Sequence, residues 1–113
     1  MKKFIILMLP SRLGEVRAYS ILFSEPIVKD GKRWFRFTFV LENKTKYLDI
    51  GGSKEEVEVV QKRVEDFNND RTCETLVVES DQEGKKLHFW KFETNEKAKK
   101  FLDSRKVKYP YIM

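Results

Sequence analysis

Lys29-Asp30-Gly31-Lys32-Arg33-Trp34-Phe35-Arg36-Phe37-Thr38-Phe39-Val40-Leu41-Glu42-Asn43-Lys44 is the stretch that decides the fold. Asp-Gly tolerates the left-handed backbone of a two-residue hairpin turn, so Lys29 to Lys32 reads as a turn with strands on both sides. Beyond it, Phe35, Phe37, Phe39 and Leu41 alternate with Trp34, Arg36, Thr38 and Val40. That period of two belongs to a strand with one buried face, and the phenylalanines are the buried set. Asn43-Lys44 supplies a second tight turn, into a strand over Thr45 to Ile50. The preceding strand runs from about Arg17 to Ser24, with Tyr19, Ile21 and Phe23 sharing a face, and ends or bends at Glu25-Pro26. An antiparallel meander follows from these signals.

Working outward, Phe4 to Leu9 is apolar at both parities, as expected of a central strand covered on two sides or of a strand beside a chain end. Met1-Lys2-Lys3 before that run imitates the start of a signal peptide. The apolar run is short, however, Pro10 ends it, and Arg12, Glu15 and Arg17 stand where a cleavage region is neutral. A buried first strand is the better reading. After Gly51-Gly52, Ser53-Lys54-Glu55-Glu56 forms a capping box, and Val57, Val60, Val64 and Phe67 recur at helical spacing to about Asn68. Cys73 to Glu79 is a further strand, Asp81 to Gly84 a turn, and Lys86 to Glu93 a strand. Thr94 or Asn95 then caps a second helix with Ala98, Phe101 and Leu102 inward. Val107 to Met113 reads as an extended, docked tail.

The expected order is therefore β-β-β-β-α-β-β-α in a single compact domain over residues 1–113. Its class is α+β: a largely antiparallel sheet of five or six strands, with two helices packed on one face. Residues 33–68 and 73–105 repeat the pattern strand, strand, helix without aligning in sequence. The 113 residues are 41% hydrophobic and 36% charged, the latter well above the ~25% of an average domain. A core of ordinary size thus sits inside a charged shell.

The single cysteine, Cys73, cannot close an internal disulfide, and one histidine with one cysteine offers no metal-ligand cluster. Cys73 reads as a small core residue in a reducing, cytoplasmic setting. No segment reaches membrane-spanning length, and no phosphate-binding loop, dinucleotide fingerprint or nucleophile elbow is present. Asp30 followed by Glu42-Asn43-Lys44 has the acid and E-x-K order of metal-dependent nuclease cores, but E-x-K arises by chance in so Lys- and Glu-rich a chain. His88, the only histidine, stands on a strand without a sequence neighbour that would make it an acid or base. Neither a catalytic residue nor a metal or other cofactor is assigned.

Charge is segregated along the chain. Residues 1–50 hold ten Lys/Arg and five Asp/Glu, residues 51–83 four and ten, and residues 84–113 nine and three, giving +5, −6 and +6. An acidic middle confines any nucleic-acid footprint to one face built from the two ends. Two strands mix large aromatics with cations: Arg33 to Phe39, and Lys86-Leu87-His88-Phe89-Trp90-Lys91-Phe92. If Leu87 and Phe89 point inward, His88, Trp90 and Phe92 form the outer row, and Trp90 and Lys91 point to opposite sides. Bases stack on aromatic faces while Lys or Arg meets phosphates. Trp34, Trp90 and His88 are therefore the stacking candidates, and Arg33, Arg36, Lys86 and Lys91 the phosphate contacts.

The competing view is that a helix or the tail covers these side chains, since large aromatics are mostly buried. The leading functional expectation is a non-enzymatic protein that binds nucleic acid, single-stranded by preference, through an aromatic and basic sheet face. The alternative is a small protein-interaction module, a regulator or inhibitor, that meets a protein partner through an edge strand or the aromatic patch.

Overall fold

The Asp-Gly turn forms as expected: Asp30 and Gly31 have φ of 55° and 71°, the left-handed pair of a type I′ hairpin. The second turn falls one residue earlier than expected, on Glu42 and Asn43 with φ of 53° and 63°. Asn accepts that conformation readily and Glu only at a small cost. The computed structural model describes the backbone of residues 2–111 and the side chains of residues 2–108. Its elements are β1 (Phe4–Pro10), β2 (Val16–Lys29), β3 (Lys32–Leu41), β4 (Lys44–Gly51), α1 (Lys54–Asn69), β5 (Thr75–Ser80), β6 (Leu87–Phe92), α2 (Asn95–Ser104) and β7 (Lys108–Tyr111).

Strand order is β4-β3-β2-β1-β5-β6, with β7 beside β2 off this path. All neighbours are antiparallel except β1 with β5 and β2 with β7. The class is α+β, and the order up to α2 is the one the sequence predicts. The extended tail includes β7. Residues 112–113 and the side chains of 109–113 lie outside the described residues.

β2 departs most from expectation. It does not stop at Glu25-Pro26 but runs on to Lys29. The register explains why proline is tolerated. Lys29 pairs with Lys32 across the two-residue turn, so odd-numbered β2 residues exchange hydrogen bonds with β3 and even-numbered ones face away. Gly52 N–H donating to Arg33 O at 3.0 Å keeps the same alternation on the other side of β3. The N–H that Pro26 lacks therefore belongs to an edge not paired with β3, where proline costs no ladder bond. The other departure is a register shift between Ile21 and Phe23. This bulge at Leu22 leaves Ile21 facing inward and turns Phe23 outward, against the simple alternation.

The helices do not share a face. α1 covers Leu7, Tyr19, Phe35, Phe37, Phe39, Ile50, Leu76 and Val78, whereas α2 covers Ile6, Met8, Ala18 and Val77 on the opposite side. The reason lies in β1 and β5, which are apolar at both parities and need burial on both faces. Gly84, in the loop between β5 and β6, has φ of 72°. A Cβ there would stand 3.1 Å from Asp49 O and 3.3 Å from Ile50. β4 and β6 are the two ends of the strand order, so this close approach shows the sheet curling around α1.

Side chains anchor the helix ends. Ser53 Oγ accepts from Glu56 N–H at 3.3 Å, and Thr94 Oγ1 from Lys97 N–H at 3.1 Å. Glu56 makes no return bond among the described residues. At the other end of α1, Lys3 Nζ donates to the carbonyl of Phe67 at 2.8 Å and to those of Asp70 and Cys73. An ammonium there meets the negative end of the helix dipole. Cys73 is buried in the α1 core as expected. No helix among the described residues is long and apolar enough to cross a membrane.

Candidate nucleic-acid interface

Beyond the bulge, β2, β3 and β4 form a three-stranded sheet whose inner face packs on α1. Its outer face is set by register. Phe23, Thr38 and Tyr47 make one row across the strands, Glu25, Arg36 and Asp49 the next, and Ile27, Trp34 and Gly51 the third. Phe23 is 53% exposed and Tyr47 56%. Trp34 is half-buried; its Nε1 donates to Lys29 O at 3.2 Å, and the Lys29 ammonium lies 5.0 Å from the ring centre.

The middle row is electrostatically bound together. Arg36 donates through Nε to Asp49 Oδ1 at 2.7 Å and through Nη2 to Oδ2 at 3.0 Å, a bidentate pair. Lys29 Nζ reaches the same Oδ2 at 2.7 Å. The Arg36 hydrogen bond, with that from Lys29, holds the Asp49 carboxyl below the usual carboxylate range, and Arg36 is raised by the same contact. The Arg36 guanidinium also lies 4.4 Å from the centre of the Tyr47 ring, which fixes the ring as a flat, exposed surface. Thr38, only 1% exposed, keeps a hydroxyl with no partner among the described residues.

The other aromatic strand is placed differently. His88, Trp90 and Phe92 do share a row, with Leu87 and Phe89 on the α1 side, but α2 covers the row's Trp90 and Phe92. The rings of Trp90 and Phe101 are 5.1 Å apart, and the Arg105 guanidinium stands 4.9 Å from Trp90. Trp90 Nε1 is buried without a partner among the described residues. His88 is exposed, 6.5 Å from Trp90 between ring centres. Trp34 and Trp90 lie on the same side of the sheet but on β3 and β6, which are not neighbours in it. The two groups of candidate side chains are not brought together.

The cations divide as well. Arg36 is committed to Asp49, and Lys91 to Asp70 at 2.8 Å. Arg33 is exposed, but its parity turns it to the α1 side, where it lines a groove of about 390 Å³ with Lys54 and Glu58. Lys86 is exposed on the β5–β6 loop. Lys32, Arg33, Lys44 and Lys46 form no ion pair among the described residues and stand near the two ends of β3. The nuclease-like set is not assembled: Asp30 and Glu42 flank opposite ends of the ten-residue β3, roughly 33 Å apart at 3.3 Å per residue. No cluster of metal-ligating side chains is present among the described residues.

No family model, curated protein or solved structure matches this chain. Its own geometry therefore carries the functional argument. Sequence reasoning found Trp34 and Arg36 but missed Phe23 and Tyr47. Tyr47 was within reach, because it alternates with Leu48 and Ile50. Phe23 was not, because its direction depends on the bulge.

Proposed function

We propose that this protein binds single-stranded nucleic acid on the outer face of β2, β3 and β4, without catalysis. The observation that carries this is the pair of rings in one row: Phe23 and Tyr47, each more than half exposed, with an arginine packed on one of them. Exposed flat rings offer unpaired bases a stacking surface worth ~1–3 kcal/mol per base, and bases in a duplex cannot reach it. Phosphates meet Lys32, which shares the outward parity of Trp34 and Arg36 at the turn end of β3 and forms no ion pair among the described residues, whereas Arg33, Lys44 and Lys46 are turned to the α1 side. The acidic segment is turned away, with Glu55, Glu58, Glu65 and Asp66 exposed on α1 across the sheet. A reducing, cytoplasmic setting agrees with the buried lone Cys73.

A second reading, docking of a protein partner on the same patch, is favoured by the charge of the middle row. Lys29 and Arg36 are there balanced by Asp49 and Glu25, and Tyr, Trp and Arg are the residue types that anchor protein interfaces. Salt separates the two. Each phosphate contact to a single strand adds about 0.7 to the salt slope, a roughly 2.6-fold loss of affinity between 50 and 200 mM salt. Titration with single- and double-stranded oligonucleotides at both salts, followed by Trp fluorescence, tests this. Quenching by the single strand that fades with salt supports nucleic-acid binding. Absence of any signal at low salt removes it.

A further inference from the structure

Glu25 is out of place on a surface meant for phosphates. It is exposed, lies opposite Arg36 between Phe23 and Ile27, and has no hydrogen bond or ion pair among the described residues. A carboxylate at the centre of the face repels the nucleic-acid backbone, so phosphates belong at the Lys32 end of β3 and base edges at the middle row. There Glu25 can only accept hydrogen bonds, while Arg36 can only donate. Arg36 spends Nε and Nη2 on Asp49, which leaves Nη1 without a partner among the described residues.

An acceptor beside a donor complements a base edge that carries a donor beside an acceptor. Adenine and cytosine present an exocyclic amino group next to a ring nitrogen, and guanine presents two donors next to a carbonyl. Thymine and uracil present one N–H between two carbonyl oxygens, so when that N–H meets Glu25 and one carbonyl meets Arg36, the other carbonyl is left against the carboxylate. We infer that Glu25, with Arg36 beside it, makes this face select single strands whose bases carry exocyclic amino groups over runs of thymine or uracil. This rests on the nucleic-acid reading above and adds a specificity-determining residue to it.

The test is anisotropy titration of the full chain with labelled oligo(dC), oligo(dA) and oligo(dT), for the wild type, Glu25→Gln and Glu25→Ala. Both variants change an exposed side chain, and thermal melting checks that they remain folded. The expected result is oligo(dC) and oligo(dA) binding about tenfold tighter than oligo(dT), within the range of a good base contact. In both variants the ratio should fall close to one, chiefly through tighter binding of oligo(dT). If all three oligonucleotides bind and the ratio is the same in the wild type and the variants, the role of Glu25 is overturned and the stacking face stands. If none binds at low salt, the parent reading falls and the selectivity with it.

Discussion

Asp49→Asn should make the protein less stable and a better binder of single strands at the same time. In the native face the Asp49 side chain is only 11% exposed and holds Arg36 in two hydrogen bonds and Lys29 in a third. Asparagine keeps the shape but leaves one acceptor and no charge. The Lys29 contact is 45% exposed on the lysine side and contributes little. Losing the better half of the Arg36 pair costs about 2 kcal/mol, as for hydrogen bonds to charged groups. At about 4 °C per kcal/mol for a domain of this size, Tm falls by about 8 °C.

The same change raises the local charge by one and frees Arg36 for a phosphate. One more contact to a single strand adds about 0.7 to the salt slope, up to about fivefold in affinity at 0.1 M salt. Differential scanning fluorimetry and anisotropy titrations at several salts read both effects. A folded variant whose affinity drops, or whose salt slope does not steepen, refutes the assignment of this face.

Tyr47→Ala and Phe23→Ala should each weaken single-strand binding by roughly five- to a hundred-fold, the range for one stacked base. Because both rings are more than half exposed, thermal melting should change little. Trp90→Phe removes a buried N–H that has no partner among the described residues, so oligonucleotide titration should show unchanged binding, with stability kept or slightly raised. Lys3→Met leaves the carbonyls of Phe67, Asp70 and Cys73 without their ammonium. It should cost about 1–3 kcal/mol, with faster amide exchange in the last turn of α1. Acid should destabilise the fold only at low pH. Asp70, held well below the usual range first by the Lys91 hydrogen bond and then by Thr72, and Asp49, held down by Arg36, have depressed folded values. Their contribution is therefore present above the unfolded pKa near 3.9 and is lost as pH falls below it. Urea midpoints should be flat from pH 8 to 5 and drop below about pH 4, less steeply in Asp70→Asn.

Much of the fold is legible wherever one physical rule acts alone. Asp30-Gly31 accepts left-handed backbone, Ser53 and Thr94 cap their helices, and Val57, Val60, Val64 and Phe67 repeat at the helical period, so those elements stand where the sequence puts them. Misreadings occur where two rules compete. Proline ordinarily ends a strand, yet Pro26 sits at an edge position where its missing N–H is not needed. Alternation groups Phe23 with Ile21, yet the bulge at Leu22 separates them, and a one-residue insertion leaves no local signature in composition. The helices take opposite faces because β1 and β5 are apolar on both sides. Their double-sided apolar character already required a layer on each side. Of the candidate site, β3 was legible and its neighbours were not, because which β2 and β4 side chains flank Arg36 is a matter of register.

The same constraints explain why an aromatic face stays uncovered. α2 spans ten residues, about 15 Å at 1.5 Å per residue, which is enough to cross some three strands. It lies over β1, β5 and β6, where both parities are apolar, and takes Trp90 and Phe92 into its contact. The strands past the bulge receive no second layer on that side from the described residues, so Phe23 and Tyr47 retain exposed rings and Trp34 stays half-buried. A purely structural surface at this position would favour threonine and lysine over aromatics, because wet apolar area is costly. Instead the rings stand in rows on either side of a charged row, with Lys32 free at one end of β3 and the acidic helix behind. On the proposed reading, that arrangement would separate a place for phosphates from a place for bases, which a uniformly basic patch cannot do.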